Sequence, residues 1–355
     1  MRGSDAGNDV LSVRQMMVLL TVALFAVATD LLPSVVARQM GRGGWLIGLG
    51  ISPVLLLALW LGSRVFRRRS ICEIAGKPAR YIIIIMYLLW GLFVLAAVLR
   101  LSAARMEEIY GKVPSFWIAV LMLAVAVWVG MGKAAALARA AEIFFLALAA
   151  TVAGVLLLGT FEVKWQNLYP VEWTQLPAGS FCSASILLNV APLAVLGTRI
   201  SPKKGSKRAV CGWAIAFCVG ITWVLVVVLG SVGSGLSARL EIPYLIMVQG
   251  LGIKGAFQRT EALVAAVWLL SDLILCGALL RAGNDYITEL KSEHWGRWGV
   301  PALAIAALAV GWLLFPADAV RAFCIRVLPV TGMIAGIILP IILQVIAYGR
   351  TRKGG

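Results

Sequence analysis

The 355-residue sequence has little charge and almost no histidine. Only 14% of its residues are charged, against roughly 25% in an ordinary soluble domain, and 61% are hydrophobic. That balance excludes a soluble globular protein. With His294 as the single histidine, a histidine-ligated metal centre is nearly impossible to assemble.

Paired cysteines and catalytic motifs are also missing. The six cysteines are scattered without a C-x-x-C pair, so they indicate small buried hydrophobic residues and neither a disulfide framework nor a metal site. The sequence has no H-E-x-x-H, no G-x-S-x-G, no P-loop and no glycine-rich dinucleotide turn. We therefore expect no enzymatic activity and no cofactor. An ion channel is also disfavoured, because no repeated pattern of polar rings is present.

Long apolar runs fill the sequence instead, and each is long enough for a membrane-crossing helix of about 20 residues. The first run is longer than a typical signal-peptide core and contains Asp30 and Pro33, so we interpret it as a retained helix. The whole chain, 1–355, is predicted to be a single membrane domain. The ten predicted spans, numbered 1 to 10, are 14–37, 44–63, 81–104, 115–132, 139–160, 180–198, 209–231, 260–281, 298–315 and 324–348.

The net charge of +16 comes from basic residues in short gaps between the apolar runs, as in 64–69 and 203–208. Neither basic run is interleaved with aromatic residues, which argues against nucleic acid as a partner. Basic loops of this kind are typical of the cytoplasmic side of a membrane, where they face anionic lipid. Counting Lys and Arg in alternate loops predicts that both termini are cytoplasmic.

Ten spans divide into two halves of five, and an odd number per half inserts the second half upside down. The predicted inverted repeats cover about 14–160 and about 180–348. In such folds the first helix of each half is broken near the membrane midplane. Spans 1 and 6 each carry a polar residue three positions before a proline, as Asp30 before Pro33 and Asn189 before Pro192.

Each proline removes a backbone donor, so nearby polar groups lose their helical partners and can bond a small solute such as an amino acid. Ordinary proline kinks are the alternative. Asp30 and Asn189 would be the polar anchors, and the amino ends of the half-helices would face the carboxylate of the ligand. The candidate ligand-binding residues are Ala28, Thr29, Asp30, Pro33, Ser183, Ser185, Asn189 and Pro192.

Charged side chains inside the bilayer need a partner or an aqueous cavity. Asp272, near the centre of span 8, is a candidate for a proton or cation site, or else a neutral acid hydrogen-bonded to a neighbouring helix. Arg100 and Glu142 are further candidates for ion coupling or gating. Both lie nearer their helix ends, where they could snorkel or pair with each other. We expect Arg105, just past span 3, to be solvated.

Several short motifs, in order along the chain, resemble the spore germination permeases. This family comprises the B subunits of germinant receptors and belongs to the amino acid–polyamine–organocation superfamily. The matching segments are Ser12-Val13-Arg14-Gln15, Leu31-Leu32-Pro33, Ala37-Arg38-Gln39-x-Gly41-Arg42 with Trp45, Arg139-Ala140-Ala141-Glu142-Ile143, Tyr169-Pro170, and Phe257-Gln258-Arg259-Thr260-Glu261-Ala262-Leu263 with Trp268.

The resemblance implies an all-α integral membrane protein with a ten-helix, LeuT-like fold in the inner membrane of an endospore. It further implies that the protein senses a small germinant such as an amino acid, together with a larger A subunit and a lipoprotein C subunit. The sequence departs from the family at Leu275, where a basic residue is frequent, and at Ala28-Thr29-Asp30, which replaces the glycine-x-glycine break of superfamily transporters.

Two functions share such a pocket. In the first, a germinant binds near the breaks in spans 1 and 6 and shifts the conformational equilibrium of a receptor subunit. In the second, the chain is a secondary transporter of amino acids, coupled to protons through Asp272 or Glu142. The sequence alone does not separate the two functions.

Overall fold

The computed structural model describes residues 9–68, 76–111, 113–171, 173–200, 206–251, 260–290 and 293–353. Parts of the basic runs 64–69 and 203–208 and the motif segment 257–259 lie outside the described residues. The described chain is helical almost throughout. Its only β-type pairing is an isolated bridge between Leu11 and Ile200.

The first five spans are single α-helices joined by short connections, except that a 3-10 turn, Gly41–Leu46, links spans 1 and 2. Span 1 begins at a complete capping box, in which Ser12 and Gln15 bond each other's backbone amides. A left-handed Gly111, with φ +60°, ends span 3. The bounds of these helices are Val13–Met40, Ile47–Arg68, Lys77–Tyr110, Ser115–Met131 and Ala134–Thr160.

The second five spans are less regular. Span 6 is an α-helix, Leu176–Leu187, continued by a 3-10 helix, Leu188–Arg199. Spans 7, 8 and 9 are Ser206–Val232, Thr260–Leu290 and Glu293–Leu314, and two short helices, Ser234–Ser237 and Pro243–Gly250, lie between spans 7 and 8. Span 10 has four parts: helices Ala317–Arg326 and Leu328–Met333, a π-helical turn Ile334–Ile338, and helix Leu339–Lys353.

These helices lie where the apolar runs predict them. Among the described residues, seven helices are long and apolar enough to cross a membrane, and Ser115–Met131 and Trp298–Leu314 are shorter apolar helices. The remaining span, Ile47–Arg68, has 22 residues. The short helix Pro243–Gly250, between spans 7 and 8, packs its Tyr244 and Met247 side chains into the bundle.

Span 1 forms the centre of the bundle. It packs against spans 5, 6, 7 and 8, and 89% of its most apolar window is buried, compared with 22% for span 5. Spans 4, 5 and 9 instead present many large apolar side chains outward, such as Trp128, Ile143 and Leu313. A belt of outward apolar residues around a packed centre is what a lipid-facing helical bundle requires.

The predicted interruption of span 1 needs correction, because the α-helix is continuous from Val13 to Met40 with Pro33 inside it. One proline removes only one backbone donor, and a hydroxyl residue on each side of it bonds a carbonyl of the preceding turn. The hydroxyl of Thr29 donates to Phe25 O at 2.8 Å, and that of Ser34 donates to Leu31 O at 3.1 Å. Span 6 does change conformation before its proline, at the junction of its α and 3-10 parts.

Four charged residues fasten the N-terminal segment to one end of the bundle, and we call them the terminal cluster: Asp9, Arg199, Arg281 and Asp285. Arg199 pairs with Asp9 and makes two bonds to Asp285, at 2.8 and 3.2 Å. Asp9 also accepts the backbone N–H of Ala135 at the start of span 5, at 3.0 Å. The cluster therefore ties the N-terminal segment to spans 5, 6 and 8.

Replacing Arg199 by alanine should lower the free energy of unfolding by about 1–3 kcal/mol, because two partly buried carboxylates lose a charged donor. The measurement is thermal unfolding in detergent. Arg14→Ala is the matched control, since Arg14 pairs with Glu142 while its own side chain is 83% exposed. The control should change stability by less than about 1 kcal/mol. Equal losses in the two variants would contradict a fastening role for Arg199.

Candidate functional site

Two carboxylates and two guanidinium groups meet inside the bundle, and we call them the central network: Asp30, Arg105, Asp272 and Arg321. They come from spans 1, 3, 8 and 10 respectively. Asp30 and Asp272 are at most 2% exposed, and so is Arg105. Asp30 lies 17 residues beyond Val13, which places it about 25 Å along span 1 from the end that carries the terminal cluster.

Arg105 is the hub of the central network. One terminal nitrogen of its guanidinium bonds Asp30 Oδ2 at 3.1 Å, and the other bonds Asp272 Oδ2. The guanidinium carbon lies 4.8 Å from the centre of the Trp268 ring, in a cation–π contact. A buried charge is tolerated only when it is paired in this way, because desolvation of a lone ion costs several kcal/mol.

Arg321 extends the network toward the surface. Its Nη1 atom bonds Asp30 Oδ1 at 2.8 Å and Glu241 O at 3.0 Å, while its Nε lies 3.5 Å from Glu241 Oε2. The side chain of Glu241 is 72% exposed, whereas that of Arg321 is 13% exposed. Asp30 therefore binds a fully buried arginine with one oxygen and a more accessible arginine with the other.

Span 8 attaches to span 1 at three successive sites. Trp268 donates its indole N–H to the hydroxyl of Thr29 at 2.8 Å, which also orients the ring beneath Arg105. Ser271 accepts the backbone N–H of Ala26 at 3.0 Å and donates to Val22 O. In a regular α-helix Ala26 N–H would donate to Val22 O, so the Ser271 hydroxyl is inserted between the two groups of one backbone hydrogen bond of span 1. Asp272 makes the third link, through Arg105.

The predicted residues of span 6 form a separate group against span 10. Asn189 donates to Ser185 O, Ile186 O and, across the helix interface, Leu328 O at 3.2 Å. Its own amide oxygen is buried with no partner in the described part of the chain, and the same holds for the Ser183 hydroxyl. Ser185 bonds within its own helix, to Phe181 O at 2.6 Å.

Pro192 borders a small cavity between spans 3, 6, 8 and 9. Its carbonyl accepts the Tyr286 hydroxyl at 3.0 Å, and the Tyr286 ring stacks on Tyr87 with centroids 6.0 Å apart. Tyr87 in turn donates to Ala335 O, in the π-helical turn of span 10, at 2.8 Å. The two tyrosines thus satisfy carbonyls in two irregular helical segments.

The structure therefore divides the predicted site. Thr29, Asp30 and Asp272 join around Arg105, whereas Asn189 bonds to span 10 and Ser185 bonds within span 6. Ala28 and Pro33 are buried in the continuous part of span 1.

The suggested pairing of Arg100 with Glu142 is wrong. Arg100 donates to Phe315 O and Ser115 Oγ and stacks on Trp312, whereas Glu142 bonds Arg14 and Gln15 at the start of span 1.

Sequence reasoning missed Arg105 and Arg321. Arg105 was expected to be solvated, but span 3 continues as one helix to Tyr110 and carries the arginine into the bundle. The sequence did contain a signal for Arg105: no glycine or proline interrupts the chain between Gly91 and Gly111, which indicates that the helix continues past the arginine. Arg321 offered no such signal, since its position depends on how span 10 packs.

Two solved structures resemble this chain over nearly its whole length. The first is MhsT in complex with L-phenylalanine, with a TM-score of 0.68, 13% identity, and coverage of 94% of this chain and 98% of that one. The second is the substrate-bound outward-open state of a Na⁺-coupled sialic acid symporter, with a TM-score of 0.64, 9% identity, and coverage of 93% and 79%. No protein-family model and no curated protein matches the chain. These likenesses show a LeuT-like integral membrane fold.

Proposed function

We propose that this protein is a receptor-type membrane subunit that binds a small solute, with an amino acid as the favoured class, and signals by a conformational shift. The central network carries the proposal. Its charges alternate in the order Arg321, Asp30, Arg105, Asp272. A zwitterion could therefore replace the present ion-pair partner of the base at one end and of the acid at the other. The carboxylate of the ligand would pair with Arg321, the more accessible guanidinium, and the ammonium would pair with Asp272, the acid at the other end of the network.

The same network explains how binding would produce a signal. Spans 1, 3, 8 and 10 are held together by ion pairs that a bound zwitterion would replace, so their relative positions would change. A ligand shifts a conformational equilibrium only by its different affinity for the two states. The ligand would have different affinities for the empty, ion-paired state and for the state in which it bridges the network. We further propose Thr29, Asn189 and the other predicted residues of spans 1 and 6 as contacts of the ligand.

The biological setting rests on the sequence resemblance. On that basis we propose that the chain is the germinant-sensing B subunit in the inner membrane of a spore, in complex with an A subunit and a lipoprotein C subunit. The predicted orientation, with both termini cytoplasmic, would put the central network in the outer half of span 1, because it is about 25 Å from the helix start. A germinant would then reach Arg321 and Glu241 from the outer face.

A proton-coupled secondary transporter of amino acids is the second candidate. It is favoured by the two similar structures, because one is a complex with L-phenylalanine and the other is a Na⁺-coupled sialic acid symporter. Asp272 would be its proton-accepting group. The two candidates need the same binding event and differ in whether the solute crosses the membrane.

Thermal shift of the purified protein with a panel of amino acids tests the binding event. We expect at least one amino acid to raise the Tm of the wild type. Asp272→Asn should abolish that response, because it removes a charge of the central network while preserving side-chain size. Asp285→Asn, on the same helix but in the terminal cluster, is the matched control and should keep the response. A shift that survives Asp272→Asn would contradict the proposed site.

Uptake into proteoliposomes separates the two candidates. A labelled ligand that binds but does not accumulate under an imposed proton gradient would support the receptor. Accumulation that Asp272→Asn abolishes would support the transporter.

A further inference from the structure

Asp30 and Asp272 share one cation, and that cation is the side chain of Arg105 rather than a free ion. The two carboxylates approach from spans 1 and 8, and the guanidinium of Arg105, on span 3, bonds one oxygen of each. All three side chains are at most 2% exposed. Asp30 has a second cationic partner in Arg321, but Asp272 has no other ion pair among the described residues.

Electrostatics requires that the charge of these two carboxylates be compensated. Two carboxylates that share a dry site repel each other, and one of them must be protonated or neutralised by a cation. Oxygen atoms from two helices, converging on one point, are also the ligands that a small monovalent cation prefers. The position filled by Arg105 is therefore one that a mobile cation would occupy if the side chain were absent.

The Arg105 side chain suits this position better than a mobile ion. An arginine stays charged in proteins, and its planar fork presents separate N–H groups to the two acids. The ring of Trp268 supports one face of the fork, and Thr29 fixes that ring through the indole N–H. Together these contacts hold the guanidinium in place inside the bundle, where Arg105 is 2% exposed.

We propose that Arg105 is a built-in cation that replaces a mobile one between spans 1 and 8. The folded protein is then insensitive to the identity of the monovalent cation in solution. Resting on the function proposed above, the same reasoning makes solute binding independent of Na⁺ and K⁺. Removing the side chain should create a cation-dependent protein.

The test measures Tm in detergent at constant ionic strength in chloride salts of Na⁺, K⁺ and N-methyl-D-glucamine, without solute. The wild type should unfold at the same temperature in all three. Arg105→Met should lose roughly 5 °C or more in N-methyl-D-glucamine, because two buried acids lose their common partner. Millimolar guanidinium or Na⁺ should restore at least half of that loss.

Two variants serve as controls. Arg100→Met removes another buried arginine from span 3, but Arg100 has no carboxylate partner among the described residues, so added cations should not restore its Tm. Arg105→Met/Asp272→Asn leaves the Asp30–Arg321 pair balanced. It should be more stable than Arg105→Met alone and equally stable in all three salts.

Three results would overturn the proposal: a wild-type Tm that depends on Na⁺, a loss in Arg105→Met that no cation restores, or equal restoration in Arg100→Met. If Arg105→Met does not fold, the double variant decides. A folded, salt-insensitive double variant supports the built-in cation, and a second folding failure assigns Arg105 a packing role. These readings need no solute, so they stand even if no amino acid binds. Where one does bind, its Tm shift should be equal in Na⁺ and N-methyl-D-glucamine.

Discussion

Replacing Asp30 by alanine should lower the free energy of unfolding by about 3–5 kcal/mol, a loss typical of breaking one side of a buried ion pair. Asp30 is fully buried and accepts from Arg105 at 3.1 Å and from Arg321 at 2.8 Å. Its removal leaves two cations near each other, with Asp272 as the remaining deeply buried acid. Thermal unfolding in detergent and denaturant titration both measure the effect.

Glu241→Ala is the matched control for this variant. Glu241 also pairs with Arg321, at 3.5 Å, but its side chain is 72% exposed. Its loss should change stability by less than about 1 kcal/mol, as for other surface ion pairs. Asp30→Asn should fall between the two, because it keeps a hydrogen-bond acceptor but not the charge. A loss in Asp30→Ala as small as in Glu241→Ala would show that the network is not a stabilising element.

Gly332→Ala should also be strongly destabilising, by about 1–3 kcal/mol or more. A Cβ atom at Gly332, in span 10, would lie 2.2 Å from the backbone oxygen of Ser185 and 3.2 Å from Asn189 Nδ2. The first of these atoms belongs to the backbone of span 6 and cannot rotate away. The methyl group must therefore push the two spans apart and break the bond from Asn189 to Leu328 O.

Gly220→Ala, in the middle of span 7, is the control, because a Cβ atom there meets nothing within 4 Å. Alanine is the better helix former by about 1 kcal/mol, so this variant should be neutral or stabilising. Thermal unfolding of the two variants side by side makes the comparison. If Gly332→Ala unfolds at the temperature of Gly220→Ala, spans 6 and 10 do not pack as closely as described.

The positions of the helices could be read from the sequence. Apolar runs 115–132 and 260–281 predicted spans 4 and 8, and the structure has helices Ser115–Met131 and Thr260–Leu290 at those places. The reason is local: in a membrane every backbone polar group must be bonded within its own segment, so a long apolar run becomes a helix whatever its neighbours are. The even number of spans follows from the same runs, whereas the LeuT-like fold was expected from the family resemblance.

The two acids of the candidate site were also recognisable, because a charge inside an apolar run is costly and therefore conspicuous. Asp272 was singled out on that ground, and Asp30 by its place three residues before Pro33. The expected break in span 1 was not found, since one proline whose neighbours are hydrogen-bonded does not force a helix to unwind. Arg105 was assigned to solvent because the apolar run seemed to end before it.

Only the tertiary structure decided which charges meet. Arg105 lies 75 residues from Asp30 and 167 from Asp272, and Arg321 lies 291 from Asp30. Spans that are apolar on every side carry no amphipathic pattern, so nothing local indicates the direction in which a charged side chain points. By itself, the sequence determined how many helices form, where they lie and which residues are too costly to leave unpaired. The packing of spans 1, 3, 8 and 10 determined which acids pair with which arginines, because a buried charge is stabilised only by the groups that the fold brings within bonding distance.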